Sequence, residues 1–330
     1  LKKIGLTALA ASLVSTSVFA GAMNVTGSAG ITFAGQDSVT SANGWTMSDE
    51  ITFSGGGEMD NGWTVDVSMQ LDNNAQGSSA TTQNLDNRSI VIGMGDMGTV
   101  SFIGHGGDSA LGAVDDTTPN ADGNESWDTI SAAGETAAKF GSIGGNSVEN
   151  MFKYSNSAIV EGLSLNVTYA PQEAANITGT TSMAIAYTGI DGLTASYGHG
   201  SNDGQSVGAG GTTANADTTS MKLSYVYGSV TLAYSDHEHD SNTDTSDQDA
   251  KSMKISYAIT DDVSVSYATD EIDSNASATN VDAEYTKIVG SYTSGGMTVS
   301  ANYQEAENMA FSTATSGDEE YIGLSLSFAF

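Results

Sequence analysis

Residues 321–330, YIGLSLSFAF, alternate large apolar side chains with small ones. The large side chains are Ile322, Leu324, Leu326, Phe328 and Phe330. A period of two places all five on one face of a β-strand and leaves Gly, Ser and Ala on the other face. A strand of about ten residues that is apolar outside and small inside suits the closing strand of a transmembrane barrel. A strand of a soluble sandwich also alternates, so the rest of the chain has to decide between the two folds.

The first twenty residues have the pattern of a secretory signal peptide. Lys2 and Lys3 precede a short apolar stretch over residues 4–14, and Val18-Phe19-Ala20 resembles a small-x-small cleavage site. We predict a Sec signal peptide over residues 1–20, with cleavage after Ala22 as the alternative. The apolar stretch is too short to span a bilayer as a helix, although an N-terminal anchor helix is the competing interpretation.

The chain as a whole is acidic and has no cysteine. Its 330 residues include 39 Gly, 2 Pro and no Cys, and the formal net charge is −31. This charge argues against nucleic acid and anionic lipid as partners, since like charges repel, and it is compatible with attracting cations. Disorder is the competing interpretation of a polar, acidic chain, but the repeated alternation and the 13 tyrosines restrict it to the loops.

Apolar residues recur at every second position along the chain after the signal. Trp63, Val65, Val67, Met69 and Leu71 form the clearest internal example. Counting such stretches gives about sixteen strands, an even number, as single-chain bacterial barrels have. The predicted fold class is therefore all-β, a 16-stranded antiparallel transmembrane β-barrel over residues 21–330.

Short and long connections alternate between these strands. Outer-membrane barrels have short turns at one rim and long loops at the other, whereas a soluble sandwich needs no such alternation. Short turns are predicted at residues 60–62, 96–98, 191–192, 228–229, 261–262 and 294–296, and long loops at 73–86, 201–218, 236–249 and 271–283.

Most tyrosines share the outward parity and lie near predicted strand ends. This position is typical of an interfacial aromatic girdle, although ordinary β-propensity also enriches Tyr in sheets. The residues are Tyr169, Tyr187, Tyr197, Tyr234, Tyr257, Tyr267 and Tyr303.

The third loop, from about residue 105 to 146, is far longer than the others and shows no alternation. A loop of that length in a compact protein is usually functional. Sixteen strands leave an aqueous lumen, and a loop folded inward would set its size limit. We therefore predict a long inward-folded third loop that forms a constriction.

Two segments around this loop resemble a known family. Residues 93–104, GMGDMGTVSFIG, resemble the strand–turn–strand signature before the constriction loop of Gram-negative trimeric porins. Residues 146–170, NSVENMFKYSNSAIVEGLSLNVTYA, are similar to the segment that follows that loop. The chain is most similar to alphaproteobacterial, Rhodobacter-like porins. The resemblance implies an outer-membrane location, a homotrimer in contact with outer-membrane lipid, and passive diffusion of small hydrophilic solutes.

The chain departs from that family in its basic residues. The arginine ladder expected on the wall that faces the constriction is missing, and only Arg88 is available for it. The parity of Arg88 in the fourth strand is ambiguous. A transverse electric field across the pore therefore does not carry over from the resemblance.

Residues of inward parity are expected to face water, and acidic residues crowd the third loop. Carboxylates in a narrow pore concentrate cations through their local potential, although any single acid is equally well explained as solvated loop charge. The wall set is Glu50, Glu58, Asp66, Gln70, Lys153, Asn166, Lys222, Lys254 and Lys287, and the loop set is Asp115, Asp116, Asp122, Glu125, Asp128 and Glu135.

Two places are weak candidates for metal binding. The resemblance implies calcium near the constriction loop, and Asp115 and Asp116 have the hard oxygen ligands that calcium prefers. The second place is the run from Asp236 to Asp240, DHEHD, in a predicted external loop. Its two histidines share a face in an extended chain, but a solvated charge cluster is the better explanation of the run. We expect no other cofactor.

The sequence offers no Ser, His and Asp residues that we can assemble into a catalytic set. It contains no phosphate-binding loop and no HExxH, so we do not expect an enzyme. The leading hypothesis is a passive, cation-preferring diffusion channel. The alternatives are a substrate-specific channel of the same fold, and an adhesive or structural barrel with a plugged lumen.

Overall fold

The structure is a computed structural model that describes residues 23–36, 44–72, 87–107, 109–114, 150–171, 179–207, 212–241, 247–274, 281–309, 311 and 318–329. The predicted signal peptide lies outside these residues. Within them, no helix is both long and apolar enough to cross a membrane.

The described residues form sixteen strands, each antiparallel to its neighbours, in a closed barrel. The predicted fold class is confirmed. The strands are β1 Asn24–Gln36, β2 Gly44–Glu58, β3 Thr64–Asp72, β4 Arg88–Gly93, β5 Thr99–His105, β6 Met151–Val160, β7 Leu163–Ala170, β8 Thr180–Ile190, β9 Leu193–Val207, β10 Thr212–Tyr227, β11 Val230–Ser241, β12 Gln248–Ala258, β13 Val263–Ser274, β14 Ala283–Ser294, β15 Met297–Glu307 and β16 Glu319–Ala329.

The barrel closes between β1 and β16. Ile31 lies opposite Leu326, and Phe33 lies opposite Leu324. The side chain of Leu324 is 42 % exposed, whereas Gly323 between the large residues is buried. The strand therefore has the apolar outer face and the small inner face that its alternation predicts. Closure satisfies the edge hydrogen bonds that an open sheet would leave unpaired.

One end of the barrel, here called the turn end, carries the tight connections. They cover residues 59–63, 94–98, 161–162, 191–192, 228–229, 259–262 and 295–296. The two-residue turns use glycine where the backbone needs a positive φ, as at Gly192 with φ 74° and Gly295 with φ 60°. All six predicted turns lie here. The remaining connections lie at the opposite end, here called the loop end.

Three predicted long loops are shorter than the sequence suggests. Strand β9 continues to Val207, β11 continues to Ser241, and β13 continues to Ser274. The apolar alternation stops before these strands do. Backbone pairing does not need apolar side chains, so strands continue beyond the apolar band with polar residues on both faces.

The two faces of the sheet differ in chemistry. Large apolar residues on the outer face remain exposed, for example Leu232, Ile255 and Ile288. Toward the loop end the outer face becomes acidic, because Asp236 follows Tyr234 and Glu305 follows Tyr303 at the same parity. The tyrosines thus mark the limit of the apolar band on these strands. The inner face carries mostly Ser, Thr, Ala and Gly.

Candidate functional site

Residues 109–114 of the third loop lie inside the barrel. The Ala110 N–H donates to Thr168 Oγ1 at 3.3 Å, and the Leu111 N–H donates to Ser182 Oγ at 3.3 Å. A short 3-10 turn, Gly112–Val114, follows and is closed by the Val114 N–H donating to the Leu111 carbonyl at 2.8 Å. The inward fold of the third loop is therefore observed for residues 109–114.

The inner wall of β8 and β9 is flat where this segment packs. A Cβ added at Gly198 would lie 3.0 Å from Leu111 Cδ1 and 3.3 Å from Val114 Cγ2. Ala184 on β8 packs in the same buried cluster as Ala110 and Val114. Small wall residues thus let the loop segment approach the backbone. Gly198 is not among the predicted site residues, although the close spacing of Gly198 and Gly200 at inward parity is a usable signal in the sequence.

Arg88 and Lys153 line one cavity on the inner wall of β3 to β6. Its other lining residues include Ser68, Ser89 and Ser101. The β4–β5 register has an irregularity here: Ser89 lies opposite Ile103, but Arg88 lies opposite His105, so Gly104 is skipped. A Cβ at Gly104 would lie 2.9 Å from Arg88 Nε. This bulge explains why the parity of Arg88 could not be read from its position in the sequence.

A carboxylate lies on the same wall. Asp66 lines a neighbouring cavity that shares Ser68 and Ser89 with the one above. Its side chain covers Gly56, where an added Cβ would lie 2.2 Å from Asp66 Oδ1. The wall of β2 to β6 therefore presents both a carboxylate and two cations to solvent.

A hydrogen-bonded chain of polar side chains continues this wall toward the loop end. Gln70 Nε2 donates to Glu50 Oε2 at 2.5 Å, and the Asn87 side-chain amide donates to Gln70 Oε1. The chain crosses from β2 through β3 to the start of β4. It fixes the orientation of the Glu50 carboxylate, which is partly exposed on the inner face.

The expectation that Lys254 and Lys287 face water is wrong. Both lie on the inner face, but they are only 4 % and 1 % exposed. Ala268 of β13 lies between them, paired with Lys254 of β12 on one side and with Lys287 of β14 on the other. Asp270, two residues further along the inner face of β13, is 2 % exposed. Parity fixes which way a side chain points, whereas burial depends on what covers it. Lys222, on β10, is partly exposed.

The run from Asp236 to Asp240 is not in a loop, contrary to the prediction. It belongs to β11, so its side chains alternate between faces. His237 and His239 point inward, with Nδ1 atoms 2.9 Å from Ser220 Oγ and Thr218 Oγ1 respectively. The carboxylates point outward, because Asp236 lies opposite the exposed Met221. The acids and the histidines therefore cannot share a metal ion.

The predicted acidic residues of the third loop, Asp115, Asp116, Asp122, Glu125, Asp128 and Glu135, lie outside the described residues. Among the residues that are described, no group of three or more His, Cys, Asp and Glu side chains is arranged to hold a metal.

Solved structures share the fold. The chain is similar to a loop L8 deletion mutant of OmpT, an outer membrane protein of Vibrio cholerae, with 13 % identity, TM-score 0.68, and 94 % of this chain and 99 % of that chain covered. It is similar to Salmonella typhi OmpF in complex with daunomycin, with 16 % identity, TM-score 0.68, and 93 % and 97 % covered. It is also similar to a mutant of Rhodobacter blastica porin, with 16 % identity, TM-score 0.64, and 94 % and 100 % covered. At these identities the likeness concerns the fold alone.

Sequence comparison is more specific. No curated protein sequence matched the chain. A family model described as Gram-negative porin matches residues 5–330. The family and the fold support an outer-membrane porin channel. The chain therefore belongs to the Gram-negative porin family, as the motifs around the third loop predicted.

Proposed function

We propose that this porin is a passive diffusion channel for small hydrophilic solutes and ions, and that it prefers cations. The observation that carries the proposal is the third-loop segment 109–114 inside a barrel whose inner wall is small and polar. A segment folded inward narrows the lumen. Polar side chains on the wall favour a water-filled lumen and can hydrogen-bond to hydrophilic solutes.

The proposed cation preference depends on which charged side chains are exposed to the water in the lumen. Lys254 and Lys287 are buried, so they contribute little to the potential in the open lumen. Arg88 and Lys153 remain at the wall, where Asp66 lines the neighbouring cavity and Glu50 is partly exposed on the inner face. The net charge of −31 adds a long-range bias of the same sign. The acids of the third loop, residues 115–135, complete the proposed lining.

Other parts of the proposal rest on the N-terminal sequence pattern and on the family. The protein would be made with a signal peptide over residues 1–20, would occupy the outer membrane with its loop end outward, and would assemble as a homotrimer. Residues 105–146 would form the constriction loop. Calcium would bind through carboxylates such as Asp115 and Asp116, whose hard oxygen atoms suit it.

The test is single-channel recording of purified protein in a planar bilayer across a potassium chloride gradient. We expect steps that close in threes and a reversal potential of the cation-selective sign. Steps without selectivity would retain the channel and refute the cation preference. A folded, heat-modifiable barrel that gives no steps would refute the channel.

A plugged structural barrel is the second candidate, and one observation favours it. On β10 to β15 the inner wall toward the loop end is buried, including Ser220, His237 and Gln304. Such a wall is buried if the lumen is plugged, and also if the pore is confined to the side formed by β1 to β6. A folded barrel that gives no conductance steps in the bilayer experiment would support the plugged barrel.

A further inference from the structure

The inner wall of β3 to β6 carries a carboxylate and an ammonium group in one row of paired residues. Asp66 of β3 lies opposite Val91 of β4, and Val91 lies opposite Ser101 of β5. Ser101 in turn lies opposite Lys153 of β6. Residues that are paired in this way point to the same face of a sheet, so all four side chains point into the barrel.

The two charges are too far apart to neutralise each other. Neighbouring strands lie about 4.8 Å apart, so three strand spacings separate the backbones of Asp66 and Lys153 by roughly 14 Å. An ion pair needs its nitrogen and oxygen atoms within about 4 Å, and the side chains stand roughly perpendicular to the sheet. The wall therefore presents a negative and a positive group that are separated by two intervening strands.

The two groups line contiguous cavities that open to the lumen. Asp66 is exposed and lines the first cavity, whereas Lys153 is partly exposed and lines the second together with Arg88. Ser68 and Ser89 line both cavities. These hydroxyls therefore lie between the carboxylate and the cations, and a solute that contacts both ends lies over them.

The position of the carboxylate depends on a glycine of the neighbouring strand. Gly56 of β2 lies opposite Asp66, and a Cβ added at Gly56 would collide with Asp66 Oδ1 and with the Val65 carbonyl oxygen. The missing side chain lets the Asp66 carboxylate lie against the wall of β2. Packing therefore defines where the negative end of the row lies.

We propose that this row is a binding subsite for short zwitterionic peptides of three or four residues, with the peptide ammonium group at Asp66 and the peptide carboxylate at Lys153. An extended chain spans at most about 3.3–3.6 Å per residue, so three or four residues cover roughly 10–14 Å. That length matches the separation of the two charges. The inference rests on the proposed channel function and deepens it by naming a class of solute.

The groups between the two charges suit the middle of such a peptide. A serine hydroxyl both donates and accepts hydrogen bonds, so Ser68 and Ser89 can serve the N–H and C=O groups of the peptide main chain. Contacts to exposed charges are individually weak, so a bound peptide leaves the wall again. Binding that is favourable but weak is what passage through a channel requires.

The test records interruptions of the single-channel current by tetraglycine. The comparison peptides are N-acetyl-tetraglycine and tetraglycine amide, each of which lacks one terminal charge. We expect tetraglycine interruptions to last roughly three times longer than those of either capped peptide, the ratio that one exposed charge contact gives. Free glycine, whose two charges are too close together to span the row, should behave like the capped peptides.

Variants test the two ends of the row. D66N and K153Q should each shorten the tetraglycine interruptions roughly threefold. The charge swap D66K/K153D reverses the row but keeps both contacts, so it should restore interruptions close to those of the wild type. The matched control is E50Q, which removes a carboxylate from the same wall outside the row. It should change the reversal potential and leave the tetraglycine interruptions as they are.

A second readout is independent of conductance. Saturation-transfer NMR of the folded barrel in detergent should give a stronger signal for tetraglycine than for either capped peptide. A conducting wild type that treats tetraglycine and both capped peptides alike would overturn the subsite and leave the channel intact. A silent wild type would refute the channel, and the NMR comparison would then decide on the subsite alone.

Discussion

Leu111 in the third loop lies against Gly198 of β9, so closely that a Cβ on the glycine would come within 3.0 Å of Leu111 Cδ1. The glycine is therefore part of the site that holds the loop inside the barrel. The wall position and the loop segment are far apart in sequence, but the packing of the segment requires a residue without a side chain at position 198.

Replacing Gly198 should displace the third loop. We expect Gly198→Val to overpack this contact at a cost of about 1–3 kcal/mol in the free energy of unfolding, and to increase current noise as the segment leaves its place. Single-channel noise analysis and urea titration in detergent measure the two effects. The matched control is Gly290→Ala, where an added Cβ would meet nothing within 4 Å. Equal noise in both variants would contradict the packing role of Gly198.

The two hydroxyls that receive the loop backbone should matter as a pair. In T168V/S182A the Ala110 and Leu111 N–H groups lose their acceptors while buried, which costs about 1–3 kcal/mol for each unsatisfied group. We expect faster proteolytic cleavage within residues 105–146 of the folded barrel.

The control for that double variant is S300A/S325A. These two hydroxyls lie 2.5 Å apart on β15 and β16, so replacing both removes donor and acceptor together. Removal of both partners is close to neutral. If S300A/S325A accelerated cleavage as much as T168V/S182A, the effect would belong to the barrel and not to the loop contact.

The two groups of cations should behave differently in selectivity. Arg88→Gln and Lys153→Gln remove charges that line an open cavity, so we expect each to shift the reversal potential further toward cation selectivity. Lys254→Met removes a buried charge, so it should leave the reversal potential unchanged and alter stability instead. A shift from K254M as large as that from R88Q would show that Lys254 reaches the lumen.

The closing strand should tolerate charge on one face only. Leu324→Lys places a cation on the outer, lipid-facing side and should cost roughly 2–4 kcal/mol if the residue lies near the bilayer midplane. Ser325→Lys, the adjacent inward position, should cost much less. Folding equilibria in lipid vesicles, followed by heat-modifiable mobility, give the comparison. Equal costs would contradict the assignment of the two faces.

The barrel could be predicted from the sequence because lipid imposes a strict rule on the outer face. Residues such as Val65, Val67 and Met69 must all be apolar, so strand existence and parity are visible in the sequence. Strand ends are not subject to that rule. Beyond the apolar band both faces are polar, and β11 therefore resembled a loop over residues 236–240 although its backbone remains paired.

The candidate site was less predictable, because it depends on contacts between distant parts of the chain. Lys287 has inward parity, but the sequence does not reveal that it is buried. Arg88 lies at a bulge, which shifts parity by one residue without a local signal.

The seam between β1 and β16 also has a consequence for assembly. Ser28 lies opposite Ala329, so the final row of hydrogen bonds joins the two strands that are farthest apart along the chain. Contacts of such long sequence separation make folding slow. Until the seam forms, both edge strands expose unpaired backbone groups that can pair with another chain. Self-association through these two edges therefore competes with closure of the barrel for as long as the seam is open.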